Sequence, residues 1–299
     1  MSGPGESTAP ATVTAGSPTN RPGPSTRRVL LYLGLVAGCI PTLLPLIWLV
    51  RSALMSDAQI FISPPEWLPR PWQFSNFSDL FDAQPFARYL LNTVILVVVN
   101  IIGTVFSCTM AAFSFARTTW RGRNVVFVLT LSTLMLPYAV TLVPTFLMWR
   151  TVGAIDTYIP LTMPSFFGAG ANAAFYIFLL RQFFMSIPYD LDEAAYVDGA
   201  SPFRVYWQII LPLSKPAISV VAVFTFVNTW NDFLGPLIYL TSQSKFTLSL
   251  GLAGFQGAYT GQWSLLMAGA VIALIPVLAV FALGQRYFIQ GVVFTGLKG

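Results

Sequence analysis

A chain of 299 residues is long enough for one or two soluble domains, yet 55% of its residues are apolar, 25 are Phe, only 9% are charged and the mean hydropathy is +0.69. That leaves too little polar surface to coat a water-soluble globule, so the solvent is largely lipid. The net charge of +5 comes from basic residues scattered around apolar segments, which argues against a nucleic-acid surface; with no His, and with Cys39 and Cys108 each inside an apolar run, no zinc centre is expected and a Ser-His-Asp triad is impossible.

Residues 1–28 are rich in Pro, Gly, Ser and Thr, with Glu6 as their only acid, and have almost nothing to bury. They are expected to form a disordered tail. Arg27 and Arg28 then precede the apolar run 29–50. Its 22 residues exceed the core of a secretory signal, and Pro41, Pro45 and Trp48 occupy the place of a small-residue cleavage site, so it is predicted to be a retained membrane helix.

A helix needs about 20 apolar residues to cross the hydrocarbon core. Six segments meet that length: 29–50, 89–115, 125–149, 159–184, 218–240 and 265–288. The chain is therefore predicted to be all-α, a polytopic membrane protein with six transmembrane helices. In this division 51–88 is an extracytoplasmic loop, 89–288 a core of five helices carrying a cytoplasmic loop at 186–212, and 289–299 a cytoplasmic C-terminal tail. Pro137, Pro144, Pro164, Pro236 and Pro276 predict kinks or breaks, which survive in a membrane only where protein or a water-filled path satisfies the freed backbone groups.

Six spans put both termini on one side. If that side is the cytoplasm, Arg21, Arg27, Arg28, Arg117, Arg121, Arg123, Arg181, Arg204, Lys215, Arg286 and Lys298 lie inside, against Arg51, Arg70, Arg88, Arg150 and Lys245 outside. This satisfies the positive-inside bias.

The cytoplasmic loop holds "PYDLDEAAYVDGASPFRVYWQIILP", residues 188–212, with four carboxylates in nine residues: Asp190, Asp192, Glu193 and Asp198. Pro188 stops the preceding helix. Asp190 as N-cap and Glu193 at N3 predict a capping box, with Asp192 adding negative charge in the first turn. The helix is expected to end near Gly199, in the left-handed position, and a second to start with Ser201 as N-cap and Pro202 as its first residue. Leu191, Ala194 and Ala195 share one predicted face; Phe203, Tyr206, Trp207 and Ile210 share another. Either these faces lie against the protein's own membrane helices or they meet a partner. A leaflet rich in anionic lipid repels carboxylates, which points the acidic corner to a partner.

In the fifth span, Asp232 stands with Asn228, Trp230 and Asn231. An ionisable residue deep in a span usually faces an interior path, and amides beside aromatic faces suit sugars; the alternative is that Asp232 pairs with another helix to hold the bundle, or lies nearer an interface. Next comes the outside loop "SLGLAGFQGAYTGQW", residues 249–263, where Gly251, Gly254, Gly257 and Gly261 permit close approach of another surface or make a flexible connector. The three lysines sit in "SKP", "SKF" and "LKG", so no G-x-x-x-x-G-K-[ST] phosphate loop exists and this chain has no such ATP site.

The stretch "EAAYVDGASPFRVYWQIILP" resembles the EAA loop of bacterial ATP-binding-cassette importer permeases. Within that family, "SPPEWLPRPWQFSNFSDLF", "NTWNDFLGPLIYL" and the ending "GVVFTGLKG" are similar to the second permease subunit of carbohydrate importers. The resemblance implies the type I importer permease fold in the bacterial inner membrane, and a subunit that is not itself an enzyme. It implies a second permease, two ATPase subunits carrying ATP and Mg, an extracytoplasmic solute-binding protein and a sugar substrate, with no cofactor in this chain. Carried onto this sequence, it assigns ATPase coupling to Glu193, Ala194, Ala195, Asp198, Gly199, Ala200, Ile209, Leu211 and Pro212. The binding protein would meet Gly251, Gly254, Phe255, Gly257 and Tyr259, and an ATPase-contacting tail would include Phe294, Lys298 and Gly299. The rival readings are an ion-coupled secondary transporter, which would leave the loop without a task, and an importer permease for a solute other than carbohydrate.

Overall fold

The computed structural model describes the backbone of residues 26–256 and 261–296 and the side chains of residues 28–256 and 261–285. The expected N-terminal tail, apart from residues 26–28, lies outside the described residues. The chain divides into two compact units, residues up to Trp48 and residues from Leu49 onward.

The first unit holds most of α1 (Thr26–Ala53), apolar all round. Pro41 and Pro45 are accommodated inside the helix, and the Thr42 hydroxyl donates to the Gly38 carbonyl at 3.1 Å.

After two short helices, α2 (Asp57–Ile60) and α3 (Asn76–Ala83), the second unit is organised on α4 (Phe86–Arg117), a helix of 32 residues, or roughly 48 Å at 1.5 Å per residue. It has no proline and packs most extensively against α7 (Ile159–Phe166), α8 (Ala173–Ser186) and α12 (Lys215–Trp230). Gly103 makes the α7 contact possible, because a Cβ there would overlap the Phe166 ring. Ser107 and Asn100 of α4 hold the same element through the Ser165 carbonyl (2.7 Å) and hydroxyl (2.5 Å). The two apolar cores lie at opposite ends of α4. Phe86, Tyr89 and Val97 enter one with Phe226, Trp230, Leu248 and Phe255; Cys108, Ala112 and Phe113 enter the other with Tyr176, Leu180, Phe184 and Ile210.

Three helices, α1, α4 and α15 (Trp263–Gly296), are long and apolar enough to cross a membrane, and two bent helix pairs raise the number to at most five among the described residues. Among the six expected segments, breaks fall in the third, fourth and fifth, each of which carries at least one of the prolines that predicted a kink or break. The third is α5 (Arg123–Ser132), a 3₁₀ turn and α6 (Tyr138–Thr151), bent by 100°. Pro137 forces this, since the residue before it, Leu136, is pushed into extended backbone at φ −81°, ψ 113°. The fourth is interrupted between α7 and α8, where Gly168 and Asn172 adopt positive φ. The fifth stops at Trp230 and resumes as α13 (Leu234–Tyr239). The sixth is longer than expected: α15 continues through residues 289–296, which the sequence placed in the C-terminal tail.

Candidate functional site

The acidic loop folds as two short helices, α9 (Asp190–Val197) and α10 (Pro202–Val205). The predicted capping box is absent. Tyr189 is already helical, at φ −71°, ψ −22°, and its carbonyl accepts from the Asp192 and Glu193 amides, so Asp190 lies inside the first turn and has no cap to make. The role of the acids divides instead by face. Glu193 and Asp198 are exposed, whereas Asp192 is fully buried.

Asp192 meets Arg117, the last residue of α4, at 3.2 Å, with both side chains at most 1% exposed. A second Arg117 nitrogen donates to the carbonyls of Phe184 (2.5 Å) and Ile187 (2.6 Å), and the guanidinium lies 5.1 Å from the Tyr189 ring centre. Burial pushes the Asp192 carboxyl above the usual carboxylate range, and Arg117 opposes that shift. Removing one partner from such a pair strands a buried charge and costs about 3–5 kcal/mol. Local pattern gave no sign of this pair: a basic residue ending an apolar helix is common, and its partner is 75 residues away.

The corner forms as expected. Gly199 has φ +80° just past the end of α9, its amide donating to the Tyr196 carbonyl and the Ala200 amide to that of Ala195. Ser201 caps α10 by accepting from the Arg204 amide at 3.4 Å, with Pro202 first in the helix. From Tyr206 to Ile210 the chain is π-helical, and this splits the predicted aromatic face because the wider turn no longer keeps i, i+3 and i+4 in line. Tyr206 and Ile210 are buried, while Phe203 and Trp207 are exposed and stacked on each other. Ala195, Asp198, Ala200, Arg204, Gln208 and Ile209 line an open cleft of about 250 Å³ between the two arms. Ala194 is exposed, and in the short α11 (Leu211–Leu213) Leu211 is partly buried and Pro212 exposed; the helix then bends by 78° into α12.

The predicted pathway residues do not share one face. Asn228 and Asn231 are exposed; Trp230 is buried, stacked on Phe226, and donates from Nε1 to the Ala273 carbonyl at 3.1 Å. Trp230 therefore belongs to the core. Asn228 donates to the Tyr176 hydroxyl at 2.8 Å. Asp232 is half-buried and accepts from the Gly235 amide at 3.1 Å, closing the break before α13.

The described first part of the glycine-rich segment, up to residue 256, is helical and packed rather than a bare connector. α14 (Leu248–Ala253) seats Gly251 against the Tyr89 ring, and Phe255 is buried in the core, so neither is available to another protein; Gly254 is exposed. Gly257, Tyr259, Lys298 and Gly299 lie outside the described residues, as does the side chain of Phe294. The sequence reading overlooked a further polar cluster. Asp156, at φ 58°, accepts from the amides of Thr241 (3.0 Å) and Ser242 (2.9 Å) and from Lys245 Nζ (2.9 Å).

Residues 104–293 match the family described as binding-protein-dependent transport system inner membrane component. The probable ABC transporter permease protein YurM of Bacillus subtilis is 34% identical over 272 residues, covering 91% of this chain and 87% of the relative. The arabinooligosaccharides transport system permease protein AraQ of the same organism is 32% identical, covering 77% and 81%. Among solved structures, a chain of a bacterial ABC transporter involved in the import of the acidic polysaccharide alginate shares the fold, with a TM-score of 0.77 at 22% identity over 91% of this chain and all of that one. The chain belongs to the family of inner-membrane components of binding-protein-dependent transport systems.

Proposed function

We propose that this chain is one of two permease subunits of an ATP-driven carbohydrate importer in the bacterial plasma membrane, with both termini cytoplasmic. The observation that carries the reading is the corner at Gly199. Its front presents Glu193, Ala194, Val197, Phe203 and Trp207 to the outside, with Val197 88% exposed, while Asp192, Tyr206 and Ile210 fasten it from behind. An exposed apolar patch of fixed shape, rimmed by carboxylates, suits a protein partner better than lipid headgroups. The partner is an ATPase subunit, two of which hold ATP and Mg, because this chain has no phosphate loop.

In this scheme the cleft between the two arms, with Ala195, Asp198, Ala200 and Ile209 on its walls, receives side chains of the ATPase, and the C-terminal residues Phe294, Lys298 and Gly299 add a second contact. The second permease completes the pathway beside Asn228, Asn231 and Asp232. A solute-binding protein delivers substrate at the opposite end, near Gly254 and Gly257–Tyr259. The sugar class is supported by the names of relatives, which carry arabinooligosaccharides in one case and alginate in another.

The test is a gentle detergent purification from native membranes, comparing wild type with Glu193→Lys plus Gly199→Asn, and identification of the co-purifying proteins by mass spectrometry. Recovery of an ATPase and a second permease with wild type, and loss of the ATPase from the variant, is the expected result. A wild-type chain that purifies alone and transports, or an ATPase retained undiminished by the variant, overturns the reading.

A further inference from the structure

The two ends of α4 hold the two segments between which an importer must pass a signal. At its C-terminal end Arg117 grips α9 through Asp192 and the carbonyls of Phe184 and Ile187, and the Thr109 hydroxyl lies 2.8 Å from that of Tyr206 in the second arm. At its N-terminal end the Asn92 amide donates to the carbonyls of Ser244 (3.0 Å) and Phe246 (2.9 Å), the Thr93 hydroxyl accepts from the Leu248 amide (2.8 Å), and Tyr89 lies under Gly251. Asn92, Thr93, Thr109 and Arg117 are all buried. Between Asn92 and Arg117 the helix is unbroken, a distance of roughly 37 Å at 1.5 Å per residue.

Neither α8 nor α12, the two helices packed most extensively on α4, joins these two regions without interruption. The second arm reaches α12 only through a 78° bend, and α12 stops at Trp230 before α13 begins. A bent or broken path absorbs displacement at its joints; a proline-free helix fixed at both ends transmits it.

The geometry points to α4 as a strut that makes the corner at Gly199 and the 244–251 segment one rigid body, with Arg117, Asp192 and Asn92 as positioning residues for coupling. ATPase movement at the corner then reaches the binding-protein side directly, and binding-protein docking acts back on the ATPase by the same route, as reciprocity of coupling requires. This inference rests on the reading of the corner as the ATPase seat.

The experiment uses the whole complex in lipid nanodiscs, with liganded binding protein, and reads the ratio of stimulated to unstimulated ATP hydrolysis. The variants are Arg117→Met with Asp192→Leu, which replaces both buried charges by apolar groups so that neither is left stranded, Asn92→Leu, and all three together. Each is expected to retain the ATPase on purification yet to lower the stimulation ratio by about fivefold or more. The combined variant falls no further than the worse of the two, since one strut is cut once. Full stimulation in either variant, or losses that multiply, overturns the strut.

Where a variant fails to assemble, the same claim is read without disturbing the buried groups. Spin labels at Ser244→Cys on the 244–251 segment and Asp190→Cys on α9, both exposed and outside the proposed ATPase face, in a Cys39→Ser background, report one distance with and without ATP and binding protein; a change of about one helical turn, ~5 Å, overturns it. Loss of the corner reading shows itself differently, as an ATPase still bound to Glu193→Lys plus Gly199→Asn.

Discussion

The hydroxyl of Tyr206 stands 2.8 Å from that of Thr109, 97 residues earlier in the chain, and this bond ties the second arm of the corner to α4. Thr109 donates its own proton to the Val105 carbonyl at 2.6 Å, which leaves Tyr206 as the donor between the two. Tyr206→Phe then loses one hydrogen bond, about 1 kcal/mol, and keeps the ring 5.2 Å from that of Phe113. Tyr206→Ala also empties a core position and costs about 3–5 kcal/mol. Thermal unfolding of the purified chain should rank wild type, Phe and Ala in that order, with the larger step between Phe and Ala. Equal losses would mean that the hydroxyl, not the ring, holds the arm.

Gly199 separates backbone demand from docking. Its φ of +80° disfavours most side chains, yet a Cβ there would meet nothing within 4 Å in this chain. Asn enters the left-handed region readily, so Gly199→Asn should fold with little loss, whereas Gly199→Ala costs roughly 1–2 kcal/mol. Its side chain nevertheless enters the space in front of the corner. Uptake is expected to fall in the Asn variant while its melting temperature stays near that of wild type; normal uptake would show that no partner fills that space.

The corner was legible in the sequence because everything that makes it is local: Gly199, Ser201 and Pro202 act within a few residues of themselves. Likewise the apolar runs of α1, α4 and α15 are long enough to be seen without knowing their neighbours. Asp192 lies in the first turn as its position predicts, but its burial is not legible, for the opposite reason. Nothing within α9 marks it apart from Asp190 or Glu193, and only Arg117 turns it from a surface charge into a buried fastening. In the fourth segment Pro164 predicts a kink, but it stays inside α7, and the interruption lies further on, where the positive φ of Gly168 and Asn172 ends the helix. Trp230 was grouped with Asn228 and Asn231 by adjacency, although neighbours in a helix point about 100° apart.

The Asp156 cluster predicts a defined pH response. Lys245 first, then Ser242 and Thr241, hold its carboxyl well below the usual carboxylate range. A depressed folded value means that the stabilisation is complete above the ordinary carboxylate pKa of about 3.9 and is lost as pH falls below it towards the folded value. Protection of the Thr241 and Ser242 amides from hydrogen exchange, corrected for intrinsic rate, should therefore be constant between about pH 8 and 5. Asp156→Asn keeps an acceptor oxygen and tolerates the positive φ, but removes the charge that Lys245 pairs with, so protection drops at every pH. A wild-type protection that fades within that window would assign the segment to some other titrating group.

Neighbouring residues of the fifth segment should part company when mutated. Trp230 fills the core and bonds Ala273, so Trp230→Ala is expected to cost about 3–5 kcal/mol and to lower uptake only in proportion to the protein left in the membrane. Trp230→Phe, which keeps the stack on Phe226, should restore most of that abundance. Asn231 is exposed and spends its amide on the Val227 carbonyl of its own helix, so Asn231→Ala changes stability by about 0.5 kcal/mol or less. If its exposed face lines the path of a sugar, the same substitution raises the KM for uptake at unchanged abundance. Uptake per molecule that is unaltered in both Asn231→Ala and Asn228→Ala would remove the amides from the pathway and leave the closing of the helix break by Asp232 as the work of this segment.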